Sequence, residues 1–157
     1  MRESISFQIF DVAIFKVQLL KWCNHFSNCC ILDSNGWNSH KNELIAAIGS
    51  VNAIFPNSNS FRELKNFHAA KKDWLFGHLW YDLKNETEKL SSENFDGIGF
   101  PQMHFFQPEY VFHLTPSLSK AKGVLEIRFL TEISSREEVE NIYQEICSAE
   151  LYSPAAP

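Results

Sequence analysis

Two short segments hold side chains whose types and spacing suit ligand chemistry. The first is Ile31-Leu32-Asp33-Ser34, an apolar run that delivers a carboxylate and a hydroxyl into the turn Asn35-Gly36. Asp33 and Ser34 at a strand end can hold the ammonium and the carboxylate of a small zwitterion. The same residue types also serve as plain turn formers, accepting local backbone N–H groups. The second is Gly77-His78-Leu79-Trp80-Tyr81-Asp82, followed by Lys84, Glu86 and Glu88. Tyr81 and Asp82 at the end of an aromatic strand can line a pocket; alternatively, Tyr81 packs in a core and Asp82 caps the next turn.

Other chemistry finds little support. The histidines at positions 25, 40, 68, 78, 104 and 113 include no helical i, i+4 pair, and none sits beside cysteines at zinc spacing. No metal site is expected. The chain has no Gly-x-Ser-x-Gly, no phosphate-binding glycine loop and no dinucleotide fingerprint. Nothing identifies a nucleophile or a paired acid and base, so no catalytic residue is assigned. Cys23, Cys29, Cys30 and Cys147 form no C-x-x-C pair and read as reduced, mostly buried thiols. Cys29 and Cys30 are adjacent, but neighbouring side chains on a strand point to opposite faces.

The elements that must position these groups are legible as periodicities. Residues 4–10 alternate, with Ile5, Phe7 and Ile9 on one side, and predict a half-buried strand. Asp11 is placed to cap a helix carrying Phe15, Leu19, Trp22 and Phe26 on one stripe. Residues 29–32 and 43–51 read as strands, the second ending near Gly49. Ser60 and Glu63 have capping-box spacing and open a helix. Residues 73–83 predict a buried strand in which Gly77 marks a bulge or a close approach by another backbone. Residues 85–90 suggest a short helical turn and 91–102 a loop. Residues 110–114 and 124–130 read as strands, and Ser135 with Glu138 caps a last helix on Val139, Ile142, Tyr143 and Ile146.

Composition bounds the class. The 157 residues are 45% hydrophobic and include 14 Phe, which favours a packed core over disorder. The net charge of −5 argues against nucleic acid as a partner. It comes from residues 131–157, with six acids and one base; the rest balances at 13 and 13. That acidity reads as a solvated helix face or a docking surface for a basic partner. No stretch is apolar for long enough to span a membrane, and no signal-peptide core interrupts the N-terminus, so the expected location is cytoplasmic. Strands and helices mix without regular alternation, which predicts an α+β fold with mainly antiparallel sheets and helices outside. Residues 1–150 are expected to form one domain, and the tail 151–157 reads as a linker to a missing C-terminal catalytic domain.

The order of motifs resembles the N-terminal domain of the anthranilate synthase component I family, in particular its aminodeoxychorismate (para-aminobenzoate) synthase branch. That family has a strand ending in Leu-Leu-Glu-Ser or similar, matched here by Ile31-Leu32-Asp33-Ser34. A Gly-x-x-x-Tyr-Asp strand follows, matched by residues 77–82, then a Glu-x-Leu matched by Glu88-Lys89-Leu90. Asp96, Pro101 and the aromatic pair in Phe105-Phe106-Gln107-Pro108 complete the series. Each motif alone is short; together they span about residues 5 to 150.

The resemblance implies a part in a two-sheet sandwich of chorismate-utilising synthases. The larger, C-terminal half of such an enzyme binds chorismate and Mg²⁺ and carries out amination, with ammonia from a glutaminase partner, component II. The product of the aminodeoxychorismate branch feeds para-aminobenzoate and folate synthesis. This chain stops before the family's catalytic residues, so it is expected to be inactive alone. The resemblance further implies a tryptophan pocket lined by Leu32, Asp33 and Ser34, with Tyr81 and Asp82 as further candidate lining. Asp33 stands where the family has Glu, and the family's Arg-Tyr-Ser element is replaced by Asn42-Glu43-Leu44-Ile45. The Asp-x-x-Thr-Pro stretch usual in anthranilate synthases is absent, which favours the aminodeoxychorismate branch. The alternatives are an anthranilate synthase fragment and a free-standing amino-acid-binding module.

Overall fold

A computed structural model describes residues 1–37, 42–88, 90, 97–118 and 121–150. The elements run β1 (Arg2–Ile9), α1 (Val12–Cys23), β2 (Cys29–Asp33), β3 (Leu44–Ile48), β4 (Asn52–Ile54), α2 (Ser60–Lys71), β5 (Phe76–Leu79), a 3₁₀ turn (Tyr81–Leu83), α3 (Lys84–Thr87), β6 (Met103–Gln107), β7 (Tyr110–Pro116), β8 (Gly123–Leu130) and α4 (Arg136–Ser148). The class is α+β with two antiparallel sheets, as the mixed pattern predicts. Within the expected 1–150 domain the chain forms two compact units, Ser50–Pro108 and the segments on either side of it. The predicted linker 151–157, Lys89 and Asp96 lie outside the described residues.

The outer unit is a five-stranded sheet in the order β1-β8-β7-β3-β2, every pair antiparallel. The alternation read in β1 sets its faces. Ile31, Ala46, Phe112, Ile127 and Ile5 form one row across all five strands. Phe15, Leu19 and Trp22 of α1 and Val139 and Ile146 of α4 belong to the same buried cluster, so both helices cover that face. Leu19, Phe112 and Ile127 are wholly buried, and each such side chain contributes roughly 1.5–3 kcal/mol by leaving water. The next row outward, Leu32, Ile45, His113, Glu126 and Ser6, faces the opposite way.

Capping fixes where these helices begin. The Asp11 carboxylate accepts the Ile14 N–H at 3.0 Å. Ser135 and Glu138 form the expected reciprocal capping box. Phe26 falls beyond the end of α1 but still packs on Trp22, with ring centroids 4.7 Å apart. Phe7 and Tyr143 stack at 3.9 Å, tying β1 to α4.

The inner unit is a three-stranded sheet, β4-β6-β5, with α2 beside β4 and β6. Two sequence expectations are corrected here. Ser60 does not pair with Glu63: its N–H and hydroxyl both donate to the Glu86 carboxylate at 2.7 Å, so a remote acid satisfies the helix start. The long strand expected over 73–83 is only β5, because the chain turns into the 3₁₀ helix at Tyr81. Strands β4 and β6 were not expected. Gly77 does mark a close approach: a Cβ there would fall on the His104 carbonyl oxygen and within 2.7 Å of the Phe105 Cα. Gly77→Ala therefore forces β5 and β6 apart. It should destabilise the protein by about 1–3 kcal/mol in urea unfolding.

Candidate functional site

The segment 31–34 lines a groove of about 490 Å³ at the β2 edge, together with Asn42 and Ile45. Strand alternation divides its residues. Leu32 pairs with Ile45 and lies on the face away from the helices. Asp33 pairs with Leu44, whose row includes Leu114, Leu125 and Phe7 of the helix-covered face. There it meets α1. Lys16 Nζ donates to Asp33 Oδ1 at 2.7 Å and to Glu43 Oε1 at 2.5 Å. Ser34 follows the strand, and its hydroxyl donates to Glu43 Oε2 at 3.0 Å.

Backbone pairing holds this arrangement in place. Ser34 N–H donates to the Glu43 carbonyl at 2.9 Å, and Glu43 N–H donates to the Leu114 carbonyl at 2.8 Å. Asp33 Oδ1 also accepts the Asn35 N–H at 2.8 Å, which is the turn-forming role read from the sequence. Asn35 and Gly36 take positive φ values of 51° and 75°, the left-handed conformations that Asn and Gly tolerate best.

One lysine between two carboxylates leaves the triad with a formal charge of −1. Burial opposes the charged form of all three groups, but mutual hydrogen bonding prevails. Partial burial would lower the Lys16 ammonium, yet its bonds to Asp33 and Glu43 raise it above 10.5. Burial would raise Asp33, yet Lys16 and the Asn35 N–H hold it below its ordinary 3.8. Burial would likewise raise Glu43, yet Lys16 and Ser34 hold it below 4.5. The ammonium that Asp33 grips thus comes from the protein itself, and the groove keeps a residual negative charge suited to a cation.

A polar row adjoins the groove on the helix-free face. Asn42 Oδ1 lies 2.7 Å from His113 Nε2, and His113 Nδ1 is 3.9 Å from Glu126. Glu126 accepts from Arg128 at 2.7 Å. That Arg128 bond, with burial working against it, holds the Glu126 carboxyl below its ordinary range. Lys16, Glu43, Asn42 and His113 were not sequence candidates for the site. The register of three strands brings them together, and no local motif announces it.

Tyr81 and Asp82 lie in the Ser50–Pro108 unit. Tyr81 is 78% exposed, so it does not pack in a core. Lys84 Nζ stands 4.6 Å from the Tyr81 ring centroid and bonds Asp82 Oδ1 at 2.8 Å. The groove of that unit is lined instead by residues such as Asn59, Arg62, Glu86 and Gln102. Among the described residues, no group of three or more His, Cys, Asp or Glu side chains is arranged to hold a metal ion, and no helix is long and apolar enough to cross a membrane.

No protein-family model matches the chain, and no curated protein sequence matches it.

The triad's stability contribution has a definite pH window. The lowered carboxylates stabilise the fold above their unfolded values of 3.8 and 4.5, and this is lost as pH falls through the folded values. The raised lysine stabilises fully below 10.5 and loses its contribution as pH rises through its folded value. Lys16→Met should cost about 1–2 kcal/mol at neutral pH, between the values for exposed and buried pairs. It should also shift part of the acid transition upward, because Asp33 and Glu43 then repel each other. Urea melts of both proteins from pH 3 to 8 measure this, and parallel curves would show that the triad carries no net linkage.

Proposed function

We propose that this chain is the non-catalytic N-terminal portion of an aminodeoxychorismate synthase component I, acting with a chorismate-binding C-terminal domain and a glutaminase component II. The reading is carried by the ordered set of motifs and by where they fall. Asp33 closes β2, Gly77 sits in β5 against β6, and the Phe105-Phe106 pair lies in β6. In this reading the chain contributes to the two-sheet sandwich of the synthase, while Mg²⁺ and the amination of chorismate belong to the other half. The antiparallel α+β architecture is compatible with that role.

The surface of α1 supports a role inside a larger assembly. Its exposed residues, Ala13, Ile14, Val17 and Leu20, are all apolar. Its polar side chains turn inward instead: Lys16 into the triad, Gln18 Nε2 to the Cys147 carbonyl at 2.7 Å, and Lys21 to the Glu150 carbonyl. A helix apolar on both sides is the kind that is buried on both sides.

The chain alone should convert no chorismate in the presence of ammonia and Mg²⁺. Addition of a separately produced chorismate-binding half should restore amination, and chromatography of the product distinguishes aminodeoxychorismate from anthranilate. A soluble, folded pair without activity would overturn the proposal.

The groove at Leu32 and Ser34 favours one second reading, a free-standing tryptophan-binding module. Calorimetry should then show heat with tryptophan that disappears in Ser34→Ala. Absence of heat at millimolar tryptophan rules this reading out.

A further inference from the structure

The cysteine that faces Cys29 is not its neighbour in sequence. In β2, Cys29 pairs with Ile48, whose row continues through Tyr110 and Phe129 on the face covered by α1. Cys30 pairs with Ala47 and points the other way. Cys23 is the last residue of α1 and is buried in the cluster beneath it. The two ends of β2 therefore both meet the helix, Asp33 at Lys16 and Cys29 at Cys23. The Cys23 and Cys29 thiols are hydrogen-bonded to each other. Cys29 is exposed and Cys23 is buried.

We propose that Cys29 and Cys23 form a thiol-modification site for low-molecular-weight disulfides of the glutathione type, with Cys29 as the attacking sulfur and Cys23 as the resolving one. Two sulfurs in hydrogen-bond contact already stand near the approach that a disulfide requires. Their protonation preferences divide the roles. The hydrogen bond from Cys23 lowers the Cys29 thiol against the opposing effect of burial, while that same bond and burial push the Cys23 thiol up. An exposed thiol with a stabilised thiolate reacts first.

The chemistry balances in two exchanges. The Cys29 thiolate attacks one sulfur of R–S–S–R; the S–S bond breaks, a Cys29–S–S–R bond forms, and R–S⁻ leaves and takes up a proton. Cys23 then gives its proton to solvent and its sulfur attacks Cys29 Sγ, expelling the second R–S⁻, which is protonated in turn. Two protein thiols are oxidised by two electrons to one disulfide, and R–S–S–R is reduced to two R–SH. The product ties the end of α1 covalently to the start of β2.

Oxidised glutathione added to the folded full-length chain tests this. Chymotryptic cleavage after Phe26 separates Cys23 from Cys29, and mass spectrometry then reads the linkage. The expected product is a 23–29 disulfide, with Cys23 and Cys29 losing free thiol together. Cys23→Ser should halt at a glutathione adduct on Cys29, and Cys29→Ser should slow thiol loss at least about tenfold. A brief iodoacetamide footprint of the wild-type chain should mark Cys29 ahead of Cys30 and Cys147, so the assignment does not depend on a variant folding. Adducts first on Cys30 or Cys147, a persistent Cys29 adduct in the wild-type chain, or folded protein whose thiols resist glutathione would each overturn the proposal.

Discussion

Helix α1 must bury an apolar stripe and hold a cation beside two acids at the same time, and the architecture of the outer unit follows from that double demand. Its inner stripe, Phe15, Leu19 and Trp22, supplies the larger energy, roughly 1.5–3 kcal/mol for each buried side chain. The Lys16 triad supplies less, because partly exposed ion pairs contribute little net stability. What the triad supplies is position. Burial has no direction, and an apolar stripe can slide along a sheet at small cost. A lysine between Asp33 and Glu43 fixes which turn of the helix lies over the end of β2. Seven residues further along, Cys23 meets Cys29 at the other end of that strand.

This arrangement determines what the groove at the sheet edge offers a ligand. Asp33 is held by the protein's own ammonium and by the Asn35 N–H, and Ser34 donates to Glu43. These side chains are already organised, so a ligand meets a surface whose polar geometry is set before it arrives. A ligand ammonium has to share the residual negative charge of the triad rather than take a free carboxylate. The apolar contacts available to it come from Leu32 and Ile45, on the face opposite to Asp33. Asn42 joins that groove to the His113–Glu126–Arg128 row, so charge changes in the row reach the groove through one hydrogen bond.

The outer surface of α1 and the proposed role inside a larger enzyme are linked by the same residues. Gln18 and Lys21 bond to backbone carbonyls at the end of α4 and just beyond it, which joins the two helices and removes polar groups from the exposed side. A helix arranged in this way solves one packing problem within its own unit and leaves an apolar stripe for another surface. The acidic residues of α4 present the contrasting case. Glu137, Glu138 and Glu140 are exposed, and Glu138 is engaged in its own cap.

Much of the fold was legible in the sequence because its signals are local. Alternation in β1, the Asp11 and Ser135 caps, the 3.6-residue stripe of α1 and the turn at Asn35-Gly36 all depend on neighbours a few residues apart. Two local signals misled for physical reasons. Ser60 and Glu63 have the spacing of a capping box, but Glu86 reaches the helix start with both carboxylate oxygens and takes the role. Aromatic residues from 73 to 83 suggest one strand, but side-chain type does not report where β6 stops pairing. The site residues Asp33 and Ser34 were visible as a motif, whereas Lys16 and Glu43 were not. Lys16 looked like an interruption in an apolar stretch, and Glu43 like the start of a strand. Only the register of β2 on β3 and the helix above them bring the three charges together. The same holds for Cys23 and Cys29. Sequence alone determined which faces are apolar and where the chain turns, since those follow from side-chain chemistry and short-range sterics. Tertiary structure alone decided which charge meets which and which thiol faces which, since such contacts depend on strand register and helix placement across the whole unit.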